Sequence, residues 1–229
     1  MATTSHDVHT EPKAGASASF VWARLGSFLS ILPLGVWTTL HLWNNLAAFR
    51  GAQEWQRAVT EYAHPISFGF TTGVIVLLPL ALHTVWGLQR LFSFRPNNDR
   101  YGNFDNLKYI LQRMAAVGLL AFLGAHLWLA FLHPRLGEGH PEAFQEIASE
   151  MHWHGPTLIV YLLGTLAVAF HLANGLFGFA WTWGLTAGRR AFKRVGVLSI
   201  IVFLVLLGLS WGAIFALYEA GAQFQPLEH

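Results

Sequence analysis

Four histidines lie inside long apolar runs: His41, His83, His126 and His171. They are separated by 42, 43 and 45 residues, which places one on each of four successive apolar segments. An ionisable side chain in a membrane span is costly and is a functional candidate by default. A single intramembrane histidine is explained by a hydrogen bond to a neighbouring helix. Four at near-regular spacing point instead to metal ligation, for which neutral imidazole is the commonest protein ligand.

The elements that carry them follow from composition. Of 229 residues, 54% are hydrophobic and 11% charged, against roughly 25% charged in a soluble domain. Five apolar runs, approximately 26–48, 66–90, 112–133, 157–186 and 195–218, are long enough for a roughly 30 Å hydrocarbon core. The pattern predicts an all-α polytopic membrane protein of five transmembrane helices, the first four forming a bundle that carries the histidines. Residues 1–19 read as a polar cytoplasmic tail, 20–218 as the membrane domain and 219–229 as a short outside tail. Pro33 and Pro79 are expected to kink the first two spans. Glu142–Met151 reads as a short surface helix. There is no cysteine, which excludes disulfides, thioether-linked haem and thiolate-bound iron–sulfur clusters in this chain. The net charge of +2 and the basic residues confined between apolar segments argue against nucleic-acid binding.

Lysine and arginine set the expected orientation. Eleven fall on the side of the N-terminus and three (Arg50, Arg57, Arg135) on the other. The N-terminus is therefore expected to be cytoplasmic and the C-terminus outside, in a cell inner membrane. With that orientation, His41 and His126 lie roughly 6 Å outward of their helix centres, and His83 roughly 7 Å inward. His171 lies near the middle of the fourth span. Local sequence agrees with pairing by depth. The first and third spans share His-Leu-Trp (His41-Leu42-Trp43 and His126-Leu127-Trp128). The second and fourth share His-x-x-x-Gly (His83 with Gly87, His171 with Gly175), where the glycine lies on the same helix face and leaves room for a flat macrocycle. Two facing histidines at one depth suit bis-imidazole ligation of haem iron. Zinc is the competing metal, but it favours closed tetrahedral sets with Cys or carboxylate partners, and the five spans hold no Asp or Glu. The same lack weighs against an ion-coupled transporter. A haem-free scaffold is the remaining alternative.

These residues resemble the cytochrome b membrane anchor of succinate:quinone oxidoreductases and fumarate reductases, in its single-chain, five-helix, di-haem form. The similarity rests on Arg24-Leu25-Gly26-Ser27 before His41, Trp86-Gly87-Leu88 after His83, Gln112-Arg113-Met114 before His126, and His171-Leu172-Ala173-Asn174-Gly175-Leu176 followed by Trp183-Gly184. It covers roughly residues 20–215. The resemblance implies His41 and His126 as axial ligands of an outer haem b, and His83 and His171 of an inner one. It implies a cytoplasmic flavoprotein partner with FAD and an iron–sulfur partner with its clusters, docked near the basic loops 90–113 and 189–194. It further implies a membrane quinone, with menaquinone favoured, and a higher oligomer of the complex. Some fumarate reductase anchors carry a glutamate two residues before the fourth ligand. Ala169 stands there in this chain, which favours succinate oxidation over fumarate reduction. The anchor of another dehydrogenase is an alternative whose ligands are arranged differently.

Secondary sites are candidates by charge and position. Arg24, Ser27, Arg90 and Arg113 are placed to meet inner haem propionates or a quinone. Glu61, Tyr62 and His64, with His133, His152 and His154, are candidates for proton exchange at an outer quinone site.

Overall fold

The computed structural model describes residues 14–62, 68–93 and 104–227. Among them are five helices long and apolar enough to cross a membrane: Phe20–Arg50, Thr71–Phe92, Asn106–Gly137, Gly155–Thr182 and Arg189–Gly221. They are named here the first to fifth spans. Their outer faces carry large apolar side chains such as Leu40, Leu78, Val117, Leu163 and Ile200, as a chain solvated by lipid requires.

Both prolines fall beside local widening of the helix. Pro33 lies within a π turn over Ser30–Gly35. Pro79 follows a π turn over Thr71–Leu77, where the Leu78 N–H reaches back to the Gly73 carbonyl. Proline has no N–H to give and its ring crowds the preceding turn, so a wider turn relieves the clash. The fourth span stops at Thr182, short of the expected 186. Gly184 takes φ 76°, the Leu185 N–H binds the Ala180 carbonyl at 2.8 Å, and the Gly184 N–H binds that of Trp181 at 3.1 Å. This is the paired-bond helix stop that a left-handed glycine permits.

Ring-into-glycine contacts let adjacent spans approach. A Cβ on Gly26 would overlap the Trp86 ring, and one on Gly164 would overlap Phe122. These notches join the first span to the second and the third to the fourth. The fifth span lies against the fourth, with Ser199 Oγ donating to the Ala173 carbonyl (2.8 Å) and Trp211 Nε1 to that of Leu162 (3.3 Å).

The helix expected at Glu142–Met151 is found at Phe144–Trp153, and it is not a surface element. Ala148, Ser149 and Met151 are almost wholly buried. Ser149 Oγ donates to the Gln225 carbonyl (2.6 Å) and Trp153 Nε1 to that of Phe224 (2.9 Å). The C-terminal segment thus straps this helix to the end of the bundle. A short helix Ala52–Arg57, with Trp55 buried against Phe144, completes the same cap.

Gly221 touches Ala148 and His152 so closely that a Cβ there would meet the Ala148 carbonyl. Gly221→Val should push the capping helix off the fifth span at a cost of ~1–3 kcal/mol, read as a lower melting temperature of the detergent-solubilised protein.

Candidate metal centre

The bundle brings the four intramembrane histidines together as two pairs. His41 faces His126 with ring centres 5.9 Å apart and planes crossed at 71°. His83 faces His171 at 6.2 Å and 75°. One metal bound by two imidazole nitrogens at about 2 Å each, with each nitrogen about 1.1 Å from its ring centre, sets the ring centres about 6 Å apart. Both pairs meet that condition. All four rings line one cavity of about 960 Å³ with mostly apolar walls. Gly87 and Gly175 also line it, and nothing lies within 4 Å of where a Gly87 Cβ would stand. Among the described residues, no three His, Cys, Asp or Glu side chains converge as a metal set. Two nitrogens do not complete a tetrahedral zinc site, but they are the axial complement of a macrocycle that supplies its own four.

In three of the four rings Nδ1 has a partner on a neighbouring span. The Gly26 carbonyl lies 3.1 Å from His83 Nδ1. A carbonyl only accepts, so that Nδ1 carries the proton and Nε2 keeps its lone pair. His126 Nδ1 lies 3.1 Å from the Tyr161 hydroxyl. His171 Nδ1 lies 3.2 Å from the Gln112 amide, which also donates to the His171 carbonyl (3.1 Å) and accepts from Asn174 Nδ2 (3.0 Å). The His171 carbonyl and Asn174 anchor the two ends of that amide, so it meets Nδ1 through its nitrogen. His41 stacks on Trp37 at 4.7 Å and 12°. Asn45 Nδ2 donates to the His41 carbonyl (2.8 Å), and Asn45 is itself held by Trp55 Nε1 (3.1 Å). Such partners fix ring tautomer and direction in metal-ligating histidines generally.

Beyond the rings, the two ends of the cavity differ. Ser27, Arg90 and Arg113 line one end, joined by Lys108, which charge and position alone did not single out. Arg113 lies over Tyr109 at 3.8 Å and Arg90 over Trp86 at 5.5 Å. Ser27 Oγ accepts from Trp183 Nε1 at 3.1 Å and donates to the Arg24 carbonyl. The Arg24 side chain is elsewhere, in a separate groove between Phe20 (4.6 Å) and Trp183 (5.5 Å).

At the opposite end, Asn45, Trp55 and Glu142 line the cavity. Glu142 pairs with Arg135 at 2.6 Å. The side chains of Glu61 and Tyr62, and all of His64, lie outside the described residues. His133, His152 and His154 are not among the cavity-lining residues. His133 packs against Trp128, His152 Nδ1 bonds the Tyr218 carbonyl (2.8 Å), and His154 meets Thr157 (2.7 Å) and Glu150 (3.4 Å). Tyr161 and Asn45 were legible only as uncharged polar residues inside apolar spans, Gln112 as part of a motif, and Glu142 as the start of the expected surface helix.

Two comparisons bear on the assembly. The family model described as the succinate dehydrogenase/fumarate reductase transmembrane subunit matches residues 93–207. The succinate dehydrogenase cytochrome b558 subunit of Bacillus subtilis (strain 168) is 31% identical over 199 residues, covering 86% of this chain and 96% of that one.

Because Trp86 seats on Gly26 and packs 5.4 Å from the His83 ring, Gly26→Val should unseat both. Any metal group held between His83 and His171 should then be lost, read as a fall in extractable metal per chain, while one held between His41 and His126 should stay.

Proposed function

This chain belongs to the succinate dehydrogenase/fumarate reductase transmembrane subunit family and is a multi-pass membrane protein, and from that premise we propose that it is the di-haem anchor of a succinate:quinone oxidoreductase. The observation that carries the reading is the pair of imidazole–imidazole separations, 5.9 and 6.2 Å. His41 and His126 are the axial ligands of the outer haem b, and His83 and His171 those of the inner one. Haem held there would supply one-electron redox chemistry between an iron–sulfur partner and a membrane quinone.

The chain's own contribution is to bind, orient and insulate. The Gly26 carbonyl, the Tyr161 hydroxyl and the Gln112 amide fix three of the four rings. Ser27, Arg90, Arg113 and Lys108 supply donors and positive charge at the inner end, suited to propionates. That end faces the cytoplasm, where the flavoprotein with FAD and the iron–sulfur subunit dock. At the outer end, the Glu142 carboxylate beside Arg135 (2.6 Å) is an acid–base group next to Trp55 and Asn45. It is placed to exchange protons with a quinone, menaquinone being favoured. Ala169, which is 1% exposed, fills the position where some fumarate reductase anchors carry a glutamate. With no carboxylate there, the reading favours succinate oxidation.

The ligand assignment has a pairwise signature. His41→Ala and His126→Ala should each abolish the same haem, and His83→Ala and His171→Ala the other, as counted by haem extraction and reduced-minus-oxidised spectra of the purified complex. Loss of both haems from every single variant, or of neither, would refute the pairing.

The crossed planes give a second expectation. Parallel imidazoles split the two iron orbitals that bond with them, whereas crossed ones act on both alike and leave them nearly degenerate. At 71° and 75°, both ferric haems should show highly anisotropic low-spin EPR signals. Ordinary rhombic spectra would contradict the geometry.

A further inference from the structure

We infer that the Tyr161 hydroxyl is the positioning group that holds His126 in its metal-binding tautomer and sets the potential of the outer haem; this rests on the proposed di-haem function. Tyr161 Oη lies 3.1 Å from His126 Nδ1, and Tyr161 is only 9% exposed. A phenol oxygen accepts a hydrogen bond as well as donating one. His126 Nδ1 is the contact the geometry provides.

The site is built around this contact. Phe122 stacks on the His126 ring at 5.6 Å and 23°. Tyr161 meets the same ring edge-on at 5.7 Å and 72°, and meets Phe122 at 5.3 Å and 88°. Gly164, one turn from Tyr161, is the notch that admits Phe122. The imidazole is thus clamped on its face by Phe122 and addressed at Nδ1 by oxygen. With Nε2 given to iron, Nδ1 carries the hydrogen and the phenol oxygen accepts it.

Accepting that hydrogen makes the imidazole a better donor to iron and favours the ferric state. In the inner pair, His83 Nδ1 is tied to the Gly26 backbone carbonyl and His171 Nδ1 meets the nitrogen of the Gln112 amide, which cannot accept. The outer haem's ligand is tied to a side chain, so one substitution removes the acceptor without removing a ring.

The test is redox titration of both haems in the intact purified complex, for wild type, Tyr161→Phe and Thr165→Val. The outer haem is identified as the one lost in His126→Ala. Thr165 is the control because it is buried one turn further along and its Oγ1 bonds the Tyr161 carbonyl (2.7 Å), not the histidine. Tyr161→Phe should keep both haems and raise the outer midpoint potential alone. A loss of ferric preference on the order of tenfold corresponds to about 59 mV for one electron. Thr165→Val should leave both potentials unmoved.

An unmoved outer potential in Tyr161→Phe overturns the inference, as does an equal shift of both haems or the same shift in Thr165→Val. Should Tyr161→Phe not assemble, 3-fluorotyrosine placed at 161 keeps the shape and weakens the acceptor. It should raise the same potential by a smaller amount, and no shift there overturns the inference too. A wild-type complex with fewer than two haems, or a His126→Ala complex that keeps both, overturns the di-haem reading beneath it instead.

Discussion

An imidazole inside hydrocarbon has two nitrogens and no water to satisfy either, and the rest of this bundle is arranged around that constraint. In three of the four rings, Nδ1 is tied to a group on a neighbouring span. Each tie crosses a helix boundary: second span to first, third to fourth, fourth to third. The ring needs its partner within hydrogen-bond reach, so the helices must touch at these levels. Two notches allow it, Gly26 under Trp86 and Gly164 under Phe122, and each notch ring also packs against a paired histidine. Helix contact in lipid is driven by close packing and polar bonds rather than by water exclusion. Here both devices fall at the same points in the chain.

Much of this was legible in residue types and spacing. The four histidines stood out because no acid shares their apolar runs and the arginines there, Arg90 and Arg113, sit at the run ends. Helix direction and depth paired His41 with His126 before any contact was known, and the structure brings those two rings together. The five spans followed from hydropathy, because length and apolar composition are local properties. What was not legible depends on tertiary approach. The stop at Thr182 requires Gly184 to go left-handed, and an apolar run continuing to 186 gave no reason to expect it. Gln112 was part of a recognisable motif, but a motif does not say that its amide reaches His171 rather than its own helix. Lys108 reads as a positive-inside residue until the third span turns it toward the cavity.

The loop between the third and fourth spans was the least informative stretch, and the structure gives it a definite place. An amphipathic ten-residue helix with acidic and histidine side chains looks like a surface element. Phe144–Trp153 is instead held between the fifth span and the C-terminal strap, with Ala148 fully buried. The reason is steric. Ala148 and Gly221 lack the bulk to keep the two helices apart, and polar side chains such as Ser149 find backbone carbonyls in the strap. Amphipathicity alone does not report that a second, smaller-faced helix is present to receive it.

The two ends of the cavity are closed by different materials, which bears on how one chain can separate electron entry from proton exchange. At the basic end, cations rest over aromatic rings: Arg90 over Trp86, Arg113 over Tyr109, and Lys108 over Phe177. Long cationic side chains keep their charge near water while their stems lie along apolar surface, so that end presents positive charge without burying an isolated ion. At the other end the cap is packed rather than charged. Trp55 and Phe144 close it, and its one acid facing the cavity among the described residues, Glu142, is ion-paired with Arg135. Under the proposed function, a cationic inner mouth stabilises propionates and a docked partner, and among the described residues no carboxylate lines it. The outer end supplies a carboxylate behind a cap that limits water. Electrons and protons then meet at the outer haem, where the ring of His126 is addressed by a hydroxyl and not by a fixed backbone carbonyl.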